Sequence, residues 1–102
     1  MASTYPSPNA LATPNVSNAS VQVAAPNPSR AGLYVFNPSA TITLWVTATA
    51  TTAAVNGAGC VAVQPFQGIF FGPPNMPQWT NGLNAIASSA GSNVICVLEF
   101  YQ

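Results

Sequence analysis

The stretch "AGLYVFNPSATITLWVTA" (residues 31–48) decides the fold class. Two runs rich in β-branched and aromatic side chains flank Asn37-Pro38-Ser39. Asn favours a turn by hydrogen-bonding its own backbone, and Pro by presetting φ. In the second run Ile42, Leu44 and Val46 alternate with Thr43, Trp45 and Thr47. A period of two is that of a strand with distinct faces. The Thr face is expected to be half-exposed, with Trp45 displayed on it. Strand, turn and strand in so few residues predict an all-β chain.

The pattern continues outward. "SVQVAA" (20–25) alternates and precedes a turn at "PNP" (26–28). Beyond residue 48 a small-residue segment ends in a turn at Asn56-Gly57. "CVAVQPF" (60–66), "QGIFFG" (67–72), "LNAIASS" (83–89) and "VICVLEFYQ" (94–102) read as further strands, and "PPNMPQWTNG" (73–82) as a loop. Phe70 and Phe71 are expected in the core, whereas Met76 and Trp79, set among prolines, suit a partner surface. In the closing strand Val94, Cys96, Leu98 and Phe100 share one face and Ile95, Val97, Glu99 and Tyr101 the other. Both faces are mostly apolar, which suits a central or covered strand. No helix-length window has a 3.6-residue apolar period. The sum is a compact antiparallel β-sandwich of about seven or eight short strands. Residues 1–18, with Pro6, Pro8 and Pro14, read as an extended arm, and 19–102 as the sandwich domain. Tyr5 and Leu11 are the arm's candidate anchors on a neighbouring subunit.

Composition limits the chemistry. The chain has 102 residues, is 49% apolar and only 2% charged, and its net charge is zero. Arg30 and Glu99 are the only charged side chains, and there is no His. A Ser or Cys nucleophile lacks its basic partner, and paired-carboxylate chemistry needs a second carboxylate. Hard-metal sites need several carboxylates, a Cys-based zinc site needs more ligands, and "NGAGC" (56–60) lacks the Lys of a phosphate loop. The reading is therefore non-enzymatic, without cofactor or metal. One Arg cannot supply affinity for a phosphate backbone, which disfavours nucleic acid. No apolar run approaches the length of a membrane span, and the N-terminal residues lack the pattern of a secretory signal, so synthesis in a cytoplasm is expected. A glycan could stack on Trp45 or Trp79, although Trp is more often buried.

A lone buried charge costs several kcal/mol, so Arg30 and Glu99 are expected to form a charge-assisted pair; the alternative is that each is separately solvated. Cys60 and Cys96 read first as small buried hydrophobes and second as a cross-strand or inter-subunit disulfide. A neutral surface gives a free monomer no electrostatic protection, so assembly with copies or partners is expected.

"PNPSRAGLYVFNPS" (26–39), "GLNAIASSAGSNV" (82–94) and the final "LEFY" (98–101) carry a likeness. Over residues 19–102 the chain resembles small β-sandwich virion proteins of tailed bacteriophages and related gene-transfer particles. An Arg ahead of a strand, as in "SRAGLYVFN" (29–37), and a closing strand after "GSNV" (91–94) belong to that likeness. The resemblance implies a structural role as a capsid decoration or cement protein, or as a head-fibre, collar or spike-base component. Its partners would be major capsid, neck or fibre proteins, and its form a homo-oligomer, trimer or ring, located in the virion. Segment 65–80 is longer than in the shortest members, so no role carries over to it. The alternative is a receptor- or glycan-binding module of a fibre or spike that uses Trp79 and the 73–82 loop. A secreted adhesin or pilin-like subunit is a third reading, and would need an export signal.

Overall fold

A computed structural model of the chain describes residues 7–28, 30–48, 52–72, 80–91 and 93–101. Among them are ten strands and no helix, hence no helix able to cross a membrane. The strands are β1 (Ser7–Ala12), β2 (Asn15–Val16), β3 (Val21–Ala24), β4 (Arg30–Phe36) and β5 (Leu44–Thr47). They continue as β6 (Val61–Val63), β7 (Gly68–Phe71), β8 (Leu83–Ala87), β9 (Asn93–Val94) and β10 (Cys96–Tyr101). One sheet has the order β1-β10-β4-β7, the other β3-β8-β5-β6, and β2 pairs with β9 in a short separate ladder. Every pairing is antiparallel.

The sandwich follows from alternation. In β4, Leu33 and Val35 are buried, while Tyr34 and Phe36, alternating with them, are half-buried. Register sets Leu33 opposite Phe71, and Val35 opposite Ile69 on one side and Val97 on the other. The second sheet answers with Leu44, Val46, Val63 and Leu83, each at most 1% exposed. Each such burial contributes about 1.5–3 kcal/mol relative to exposure.

Four expectations change. Of the segment 1–18, residues 7–18 are not an arm outside the domain, because β1 pairs with β10 and Val16 of β2 is fully buried, while residues 1–6 lie outside the described residues. Pro8 fits because β1 is an edge strand and its register shifts between Pro8 and Ala10. The clearest predicted strand, 41–48, is ordered as β5 only from Leu44. Before it, Ser39 Oγ accepts hydrogen bonds from the N–H groups of Thr41 and Ile42, which holds those residues in a turn. The Thr face is not uniformly half-exposed: Thr47 is 1% exposed. Finally, the closing run is split at Ile95, whose N–H donates to the Pro14 carbonyl instead of continuing one ladder.

Candidate interaction surfaces

β4 begins at Arg30, and its position there depends on a bulge. Gly32, Tyr34 and Phe36 point away from the core, so strict alternation would send Arg30 outward too. Between the pairs Phe100–Gly32 and Tyr101–Arg30 the register shifts, leaving Ala31 as an extra residue on β4. A bulge of this kind re-aims the next side chain. The Arg30 side chain is 0% exposed and meets Glu99, which is 18% exposed and lies opposite Leu33. Nε and Nη2 both donate to Glu99 Oε1, at 2.8 and 2.5 Å. The fork closes on one carboxylate oxygen, not on two. Nη1 also donates to Asn81 O at 2.9 Å and Nη2 to Ala25 O at 2.6 Å. Ala25 follows β3 and Asn81 precedes β8, so the guanidinium joins the end of the first sheet to the second. Asn81 extends the link by donating from Nδ2 to Ala48 O, just past β5.

The other end of β4 leads into Asn37, which is fully buried. Its Nδ2 donates to Ile42 O and Val63 O at 2.7 and 2.9 Å, and its Oδ1 accepts from Ser39 N at 3.0 Å. Its backbone N–H donates to Gln67 O, and its carbonyl accepts from Phe66 N. Phe66 itself is unusual. It has φ 59° and is 64% exposed, in a turn closed by Gln67 N donating to Gln64 O. After Pro65, that position favours Gly or Asn, and a Phe there costs about 1–2 kcal/mol. Val55 and Val61 are also exposed, at 42% and 37%, so the 55–66 stretch carries three of the exposed large apolar residues. Val61 lies on β6, an edge of the second sheet.

The outer face of the first sheet is aromatic. Tyr34 of β4 lies opposite Phe70 of β7, and Leu98 and Phe100 of β10 flank them. Phe70 is 47% exposed, against the expectation that both phenylalanines of "GIFFG" enter the core. Consecutive strand residues face opposite ways, so Phe71 takes the core and Phe70 the outside. The Phe70 ring lies down on the sheet. A Cβ on Gly32 would fall 2.5 Å from Phe70 Cζ, and one on Gly72 would overlap the same ring edge. The Tyr34 hydroxyl reaches over Gly68, so that a Cβ there would overlap it, while Gly68 itself stays exposed. Phe70 and Phe100 meet edge to face, with centroids 6.1 Å apart.

The remaining candidates are scattered. Cys60 and Cys96 are both free and half-buried; Cys60 immediately precedes β6 of the second sheet and Cys96 opens β10 of the first. Cys96 shares the outward face with Leu98 and Phe100, which turns it away from the second sheet and excludes a bond to Cys60. Trp45 is half-buried on central strand β5, and its buried Nε1 finds no hydrogen-bond acceptor among the described residues. Leu11 lies on β1 in register with Leu98. Tyr5, Met76 and Trp79 lie outside the described residues. Sequence reading missed Tyr34, Phe70 and Phe100. The available signal was Gly at two-residue spacing from aromatics in "GLYVF" (32–36) and "GIFFG" (68–72), which puts bare backbone and rings on one face. Compared with known proteins, the chain matches no protein-family profile, no curated protein and no solved structure.

Proposed function

We propose that this chain is a non-enzymatic structural subunit of a bacteriophage particle, a capsid decoration or cement protein or another head-associated component. It acts by oligomeric assembly, as a trimer or ring, and by burying surface against neighbours. One observation carries the reading: the only two charged side chains are engaged with each other, with the Arg30 side chain 0% exposed. The exterior is then almost without side-chain charge, and nothing electrostatic keeps copies apart. The likeness of "SRAGLYVFN" (29–37) and "GSNV" (91–94) to phage virion proteins supplies the particle.

The β6 edge, with Val61 exposed and the Phe66 turn following it, is the contact this reading favours. An uncharged edge strand is a template for another chain, and a Lys blocks it. Light scattering of the purified chain should show an oligomer that persists at high salt and dissociates in Val61→Lys. A monomer at every concentration, or an oligomer indifferent to Val61→Lys and Phe66→Ser, overturns the assembly reading. Immunogold labelling of purified particles from cells carrying the gene should decorate heads or necks. Particles that contain none of the chain overturn the virion assignment.

A further inference from the structure

We propose that the outer face of the first sheet is a stacking platform for a neutral glycan. This goes beyond the structural role and stands on a different surface from the β6 edge.

Three observations select the ligand. The first is ring posture. Tyr34 and Phe70 sit directly opposite each other on β4 and β7, yet lean apart along the sheet, each onto glycine backbone. The Phe70 ring covers Gly32 and Gly72, both buried, and the Tyr34 hydroxyl reaches over Gly68, which stays exposed. Together they span Gly68 to Gly72, about 13 Å at the rise of a strand. The Phe70 ring, 47% exposed above Gly32 and Gly72, offers an open aromatic surface. A protein partner needs knobs and holes at interior packing density, whereas a pyranose presents a flat patch of C–H groups to such a face.

The second is charge. Planar groups that stack on aromatics include nucleobases and guanidinium or ammonium groups. Bases arrive with phosphates that need cations, and cations gain most where the face is flanked by anions. This face has neither, because Arg30 is buried against Glu99 on the other side of the sheet. An uncharged ligand is the one left unpenalised.

The third is area. Three strands about 4.8 Å apart, over four or five residues of rise, give a footprint of about 200 Å². A stable protein interface needs roughly 800 Å² on each partner. The described side chains of β10, β4 and β7, on three of the sheet's four strands, fall short of that by themselves and match a short oligosaccharide. Phe100, inclined 64° to the Phe70 ring, closes one side of the platform.

The test is retention of the full chain on insoluble cellulose, chitin and mannan, and on a charged comparison, alginate. Titration with the soluble oligosaccharide of the best binder follows, monitored by the aromatic NMR signals. Binding should occur to at least one neutral polymer, should not weaken at high salt, and should shift Phe70, Tyr34 and Phe100 most. Phe70→Leu keeps apolar volume but removes the ring, and should weaken binding about tenfold, the order expected for one stacked aromatic. Gly68→Ala lifts the Tyr34 ring and should weaken binding without removing any aromatic. Several outcomes overturn the proposal: no retention on any neutral polymer, retention on alginate alone, undiminished binding by Phe70→Leu, or shifts centred elsewhere. Self-association that disappears in Phe70→Leu, without glycan binding, makes the face a contact between copies and also overturns it. Should a variant fail to fold, the shift pattern of the unaltered chain decides. A failed glycan test leaves the β6-edge assembly standing, since that is read by light scattering on other residues.

Discussion

The two ends of β4 are both tied to the second sheet, by opposite means. At one end Arg30 brings a full charge inside, and the arrangement is favourable only because Glu99 is there to meet it. At the other end Asn37 brings a neutral amide whose two N–H groups and one carbonyl are all used within a few residues' reach. The first tie depends on a partner from the far end of the chain. The second is made to the backbone carbonyls of Ile42, just ahead of β5, and Val63 of β6. Val63, whose carbonyl Asn37 satisfies, is 1% exposed, whereas Ala25, whose carbonyl Arg30 satisfies, is exposed. So the ion pair is replaceable as a unit, and the amide is not.

That contrast can be broken by measurement. Arg30→Ala leaves Glu99 without its counter-ion in a mostly buried place and should lower stability by about 3–5 kcal/mol in urea denaturation. Asn37→Ala should lower it by about 3 kcal/mol, because the buried Val63 carbonyl loses a donor where water cannot follow and the Ile42 carbonyl loses one as well. Between the two ends, Gly32→Ala forces the Phe70 ring off the sheet and should lower stability by about 1–3 kcal/mol. The double replacement Arg30→Met with Glu99→Leu should change stability by no more than about 1 kcal/mol, since both charges leave together. If the double variant is as unstable as Arg30→Ala, the ion pair is not separable from its carbonyl contacts and the contrast fails. The smallest effect has the opposite sign. Phe66→Gly relieves the positive φ next to the Asn37 tie and should stabilise by about 1 kcal/mol, read as a raised thermal midpoint.

The ion pair was legible because the chain has one cation and one anion, and burial of either requires the other. The all-β class was legible from the two-residue period around Leu44 and from turn residues at regular intervals. Other features depend on register, which no single segment contains. Asn37 read as a turn former, and its amide proved to be a link between sheets. Pro8 argued against a strand, which holds for central strands; β1 is an edge. The bulge at Ala31, which carries Arg30 inward, leaves no local mark in "SRAGL" (29–33). The aromatic platform leaves only a partial mark, a Gly two residues from an aromatic in each segment, since Gly32, Gly68 and Gly72 become neighbours only when β4 pairs with β7.

Engaging both charges inside has a kinetic consequence. Charged proteins find partners by attraction over a Debye length, which can raise association to about 10⁸–10⁹ M⁻¹ s⁻¹. This molecule has almost no such field, so it meets any partner by unguided collision, at the about 10⁵–10⁶ M⁻¹ s⁻¹ typical of neutral encounters. Its binding rates should be nearly flat against ionic strength. How quickly it docks is then set by how many copies are present and how long each encounter lasts.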